Sequence, residues 1–251
     1  MIVLKTPAEL SIMHRANALV HETLALVAEA ARPGVSTRDL DEIAEQHLRS
    51  RNAQPAFKGY RGYPATLCTS INDVIVHGIP SPKIRLAEGD ILSIDCGAVY
   101  DGFVGDAAVT IPIGKVVPEA ERLMRVTSEC LEHAVVMVQP GKRLSDVGYE
   151  VQRHAEAAGY SVVRELCGHG IGRAMHEDPQ VANYGPPGRG PELRPGLVLA
   201  IEPMVNVGSP EVDLDDDGWT ARTEDGKLSA HFEYSVAVTE NGPWVLGVGE
   251  V

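Results

Sequence analysis

The residues best placed to do chemistry open in one stretch, D-I-L-S-I-D-C-G-A-V-Y-D-G-F-V-G-D, residues 90–106. Asp90 to Ile94 predicts a short buried strand ending in the carboxylate of Asp95. Asp101-Gly102 predicts a tight turn into a second strand, from Phe103 through Asp106 to Ile111. Such a hairpin sets Asp95 roughly opposite residues 106–108, so two carboxylates meet at the end of a mostly apolar hairpin. They repel unless a proton or a cation lies between them, and a divalent metal is one natural answer. Two surface aspartates at strand ends are the plain alternative. Other residues join the pair. Gly89 to Asp95 recurs 107 residues later as Gly196-Leu197-Val198-Leu199-Ala200-Ile201-Glu202, which gives Asp95 a partner acid in Glu202. His169 sits among three glycines in L-C-G-H-G-I-G (166–172), where an imidazole can be presented to a ligand. His231-Phe232-Glu233-Tyr234-Ser235-Val236 reads as an alternating strand with one acid, which by itself is commonplace. Four carboxylates and one imidazole exceed what one catalytic metal with an open position needs, and suit two metals that share carboxylates. Oxygen-rich ligation with one nitrogen favours manganese, iron or cobalt over a structural zinc site, which would use thiolates.

The elements that must position these residues are legible in outline. Thr6-Pro7-Ala8-Glu9 is a capping box with proline at the first helical position, and its helix should stop before Pro33-Gly34. Ser36 to Asp39 caps a second helix whose apolar stripe is Leu40, Ile43, Ala44 and Leu48. A glycine- and aromatic-rich loop, residues 57–64, leads to strands near Thr66–Ser70 and Val74–His77. After the hairpin, Pro118 starts a third helix, and a fourth runs from Leu144 to about Ala158 and stops at Gly159. The 107-residue offset also matches Pro33-Gly34 with Pro140-Gly141, Asp39 with Asp146 and His47 with His154. Helix, helix and strands recurring twice predict one α+β unit of two related halves, and sites in such folds often lie where halves meet.

Bulk properties narrow the function classes. At 251 residues, 44% hydrophobic and 23% charged, the chain has the composition of an ordinary globular protein with a substantial core. A net charge of −13 argues against a general nucleic-acid or membrane-surface binder. Cys68, Cys96, Cys130 and Cys167 form no C-x-x-C pair and read as reduced thiols of a cytosolic protein. The N-terminus lacks a signal-peptide pattern, and no apolar run is long enough to span a bilayer.

Several stretches, taken together and in order, resemble one family: G-Y-R-G-Y-P (59–64), T-S-I-N-D-V-I-V-H-G-I-P (69–80), G-D-I-L-S-I-D (89–95), D-G-F-V-G-D (101–106), C-G-H-G-I-G (167–172), M-H-E-D-P (175–179), I-E-P-M (201–204) and F-E-Y-S-V-A-V (232–238). They are those of the type I methionine aminopeptidases. The resemblance implies a pita-bread fold: two pseudo-symmetric halves, roughly 1–113 and 114–251, with a curved antiparallel sheet and helices outside, in a single metallopeptidase catalytic domain over 1–251. It implies two divalent ions (cobalt, manganese, iron or zinc) held by Asp95, Asp106, His169, Glu202 and Glu233, with Asp106 and Glu233 bridging. His77 and His176 would face the substrate, with Glu202 as general base. Tyr60, Tyr63, Cys68 and Trp219 would line a methionine pocket, where Met175 replaces a residue that is often phenylalanine in the family. A monovalent cation would fall near Asn72, Val74 and Ser229. The implied activity is removal of the initiator methionine, before a small second residue, from nascent polypeptides. It is placed in the cytoplasm, at or near the ribosome, in a monomer that binds no nucleic acid or membrane. A prolidase or X-prolyl aminopeptidase of the same fold is the alternative enzyme. A silent binding module of this fold would have lost metal ligands, and all five are present.

Overall fold

Helix α1 (Pro7–Ala30) begins on a reciprocal cap: Thr6 Oγ1 accepts the Glu9 N–H at 3.3 Å and Glu9 Oε2 accepts the Thr6 N–H at 2.9 Å. Ser36 and Asp39 repeat the device at the start of α2 (Thr37–Ser50). Helix α3 (Pro118–Val136) starts on its proline, and α4 (Leu144–Ala157) ends just before the left-handed Gly159. This computed structural model describes residues 1–249. Helices α2 and α4 each have 14 residues and start at positions 37 and 144, the same 107-residue offset. Smaller details recur at that offset: the Gly34 N–H donates to Leu86 and the Gly141 N–H to Leu193, and Ser36 bridges Arg85 as Arg143 bridges Glu192.

The strands build a curled nine-stranded sheet in which every neighbouring pair is antiparallel, with two three-stranded sheets beside it. Alternation decides what each face does. Leu92, Ile94, Cys96 and Ala98 of the strand Ile91–Tyr100 pack with Leu19, Leu24, Leu40 and Leu48 of α1 and α2 in one core. Leu199, Ile201, Val236 and Val238 pack with Leu123, Leu131 and Val151 of α3 and α4 in another. The helices thus cover the outer face, and the α+β architecture expected from the sequence is present.

Two expectations need correction. The hairpin is longer than predicted: Ile91–Tyr100 pairs with Phe103–Pro112 over ten residues each, so Asp95 is mid-strand and the carboxylates meet mid-ladder, not at the hairpin's end. Cys96 and Ala98 are small, apolar and buried, and they carry the strand past Asp95. The strand expected over residues 231–236 is broken: Ser229–His231 belongs to a three-stranded sheet and Glu233–Thr239 to the large one. The turn itself is as predicted, with positive φ at both Asp101 (47°) and Gly102 (76°). Among the described residues, no helix is long and apolar enough to cross a membrane.

Candidate active site

Register places five side chains on the inner face. Asp95 stands opposite Ala108 on one side, and Glu233 stands opposite the same Ala108 on the other. Asp106, two residues from Ala108, shares that face. Ser235 pairs with Ala200 and Ala200 with His169, while Glu202 lies two residues beyond Ala200. Asp95, Asp106, Glu233 and His169 therefore project from strands of one sheet, and Glu202 from the residue just past the end of the strand between those of Glu233 and His169. Helix α1 fixes the second of them. A Cβ on Gly105 would lie 2.7 Å from the Asn17 nitrogen, so glycine lets the helix press onto the strand. The buried Asn17 then accepts the Asp106 N–H at 3.1 Å.

The cluster is built for a cation. His169 Nδ1 lies 3.0 Å from the Gly170 carbonyl, which can only accept, so the ring proton sits on Nδ1 and the bare Nε2 faces inward. That lone pair meets Asp106 Oδ2 at 3.8 Å and Glu202 Oε1 at 3.7 Å, with no donor between them. Burial holds the imidazole neutral down to about 4. One ligand atom each from Asp106, His169 and Glu233 lie within 4.8 Å of one another. Asp95 Oδ1, Asp106 Oδ1 and Glu233 Oε1 are solvent-inaccessible and have no hydrogen-bond partner among the described residues. Burial pushes Asp95 up to about 7. Asp106, Glu202 and Glu233 are raised too, first by burial and then by one another's charge or that of Asp95. Unpartnered oxygens with raised carboxyls and an inward lone pair fit divalent cations.

A cavity of about 170 Å³, the room of five or six waters, opens against this cluster. Tyr60, Tyr63, Cys68, Met175 and Trp219, all singled out from the sequence, line it together with His77 and His176. Tyr63 is held by its hydroxyl, which donates toward Leu67 at 2.9 Å and Gly78 at 3.2 Å, and Trp219 meets its ring edge-on at 5.1 Å. Burial and then the nearby Asp95 push the Cys68 thiol up, so it packs as an apolar wall. Met175 is buried, and its Cε lies 3.0 Å from where a Cβ of Gly97 would stand. His77 leaves its strand in the left-handed region (φ 61°), and Gly78 follows because a Cβ there would strike the Thr69 carbonyl at 2.2 Å. Tyr60 reaches His176, its hydroxyl 2.8 Å from Nδ1. Asn72 and Ser229 are adjacent, the Ser229 N–H donating to the Asn72 carbonyl at 2.8 Å, and Val74 begins a strand two residues on from Asn72.

Sequence reasoning did not single out four residues at this site. Phe57 and Arg61 also line the cavity, and both lie in the loop of residues 57–64 that supplied Tyr60 and Tyr63. His231 is 1% exposed with neither ring nitrogen partnered, and its Nε2 is 3.8 Å from Glu202 Oε2. Its position two residues before Glu233 was the available signal. Lys5 gave none: its Nζ lies 2.6 Å from Glu177, whose other oxygen accepts the Arg173 and Ala174 N–H groups and so braces the turn that carries Met175 and His176.

Comparison with known proteins follows the same outline. The model of metallopeptidase family M24 matches residues 11–240. A methionine aminopeptidase of Clostridium acetobutylicum is 50% identical over 250 residues, covering all of both chains. The crystal structure of a methionine aminopeptidase from Thermotoga maritima superposes with a TM-score of 0.97 at 45% identity, over 98% of this chain and 99% of that one. The prolidase of Pyrococcus horikoshii shares the fold at a TM-score of 0.81 and 23% identity, but this chain spans 65% of its length.

Proposed function

This chain belongs to metallopeptidase family M24, and on that premise we propose how it removes an N-terminal methionine. The observation that carries the reading is the cavity set directly against the carboxylate–imidazole cluster, with Tyr63, Cys68, Met175 and Trp219 as an apolar wall suited to a chain's first side chain. We assign Asp95, Asp106, His169, Glu202 and Glu233 to two divalent ions, Asp106 and Glu233 shared between them. Bound there, such ions supply Lewis acidity for the scissile carbonyl, a water of lowered pKa and an anchor for the free α-amino group. The chain's own residues do the rest. Glu202 accepts the proton of the attacking water, since a ligand carboxylate keeps lone pairs for that task. His176 donates a hydrogen bond to the oxyanion. His77, held toward the cavity by its left-handed backbone, hydrogen-bonds the substrate amide or assists departure of the new amine.

The pocket sets specificity. Sulfur–aromatic contacts contribute roughly 0.3–1.5 kcal/mol each, and leucine lacks them, but a missing methylene or swapped group counts for only ~1–3 kcal/mol. Methionine should be preferred clearly without being required absolutely. His77 and His176 crowd the space beyond the first residue, so small second residues should pass and leucine, lysine or arginine should not.

We further read the chain as one catalytic domain of two related halves, acting as a monomer on nascent polypeptide N-termini at or near the ribosome. The recurrence of caps and bridges at 107 residues supports the first. Four free cysteines support a reducing, cytoplasmic setting, and a charge of −13 disfavours nucleic acid as a ligand. The paired Asn72 and Ser229 backbones, with Val74 nearby, are our candidate for a monovalent cation site.

Turnover of Met-Ala-Ser, Met-Lys-Ser and Ala-Pro-Ser under identical manganese loading tests the specificity. Met-Ala-Ser should be cleaved far better than either other. Preferred cleavage of Ala-Pro-Ser would make the chain a prolidase-type enzyme, and equal cleavage of the first two would remove the steric role of the histidines.

A further inference from the structure

We propose that Tyr60 is the positioning residue that fixes the tautomer of His176, a role distinct from its place in the pocket wall. The Tyr60 hydroxyl is 2.8 Å from His176 Nδ1, and the two rings lie nearly parallel, 5.4 Å apart at 23°. A neutral imidazole carries one proton, and the atom that holds it decides what the ring can do. If Nδ1–H donates to the tyrosine oxygen, Nε2 is bare and repels a developing oxyanion. If Tyr60 O–H donates to Nδ1, the proton must sit on Nε2, where it can be given to that oxyanion. Only the second arrangement serves the oxyanion role assigned to His176, and the inference rests on that reading.

The backbone around Tyr60 is shaped to hold its ring there. Gly59, Arg61 and Gly62 all have positive φ (89°, 49° and 91°), so a non-glycine residue accepts the left-handed region beside Tyr60. The turn is closed by the Tyr60 N–H on Phe57 at 2.9 Å, the Tyr63 N–H on Tyr60 at 2.9 Å and the Gly59 N–H on Tyr63 at 2.7 Å. Tyr60 and His176 come from segments 116 residues apart, the second braced by Glu177, so the bond joins two independently fixed walls of the cavity.

Tyr60→Phe keeps the ring and removes the donor. In the manganese-loaded enzyme, kcat on Met-Ala-Ser should fall roughly 3- to 10-fold, the effect of one neutral hydrogen bond, with KM and metal content unchanged. In a His176→Ala background the same substitution should change kcat no further, because it keeps the ring that lines the cavity and removes only the hydroxyl, which acts through that imidazole. Nitrogen-15 NMR of the zinc-loaded protein should show His176 protonated on Nε2 in the parent and in both tautomers in Tyr60→Phe. A parent protonated on Nδ1, or a Tyr60→Phe loss that persists in the His176→Ala background, overturns the proposal. His176→Ala with full turnover would instead overturn the oxyanion role itself.

Discussion

Asp106→Asn is expected to lose metal and peptidase activity together, by at least ~10³-fold in turnover, while the fold persists. Asp106 lies at the centre of the cluster, on the strand between those bearing Asp95 and Glu233, and its backbone is fixed by Asn17. An amide keeps the shape but removes the charge that the proposed shared ligand must supply, so on that assignment both ions are affected at once. The same substitution should stabilise the metal-free protein, and the sign follows from the raised carboxyls. A carboxyl whose folded value lies above its ordinary one penalises the folded state progressively as pH rises between the two. For Asp95 that window runs from 3.8 to about 7, and Asp106 and Glu233 are raised in the same direction. Removing one of the mutually repelling charges relieves part of the penalty. Metal-free Asp106→Asn should therefore melt above metal-free parent at pH 8, and the gap should close below about pH 4. Full activity in a chelator-treated Asp106→Asn protein, or a lower melting point at pH 8, would contradict this account of the cluster.

His176→Ala should behave differently, with metal content intact and turnover lowered on the order of 10²–10³-fold, the usual effect of removing one oxyanion donor. His176 is exposed at the cavity mouth and lies against the His169 ring, tilted 47° with centroids 4.3 Å apart, while His169 turns its own Nε2 inward to the acids. Desolvation of the ring on its cavity side, then the charge of Arg61, lowers the His176 pKa, which favours the neutral ring that the proposed donor role needs. KM for Met-Ala-Ser should change little, because the interaction strengthens only as charge develops on the carbonyl oxygen. A variant stripped of metal would make His176 a ligand.

Much of this site could be read in the residues, and what could not has physical reasons. Asp101-Gly102 announced its turn because only certain residues accept positive φ at two successive positions. The capping residues Thr6 and Ser36 announced helix starts because their side chains satisfy local N–H groups. Glu202 could be matched to Asp95 through the 107-residue offset before any register was known. Long-range pairs left no such trace. Lys5 meets Glu177 across 172 positions, and Tyr60 meets His176 across 116. Nothing local in either segment favours one partner over another. His231 was obscured by the break at residue 232, which moves it into a different sheet from Glu233 while leaving it beside Glu202. The sequence reading ends the strand at Asp95 and leaves Cys96-Gly97 outside it. In fact Gly97 is required there, since a Cβ would meet the Phe57 ring at 2.6 Å.

The most direct measurement counts methionine released from Met-Ala-Ser as manganese is titrated into chelator-treated protein at pH 7.5. With four carboxylates and one inward imidazole lone pair as the proposed binding set, release should be absent without metal. It should then rise with added manganese and level off near two equivalents per chain. Undiminished release by the metal-free protein would contradict the account, as would saturation without any methionine appearing.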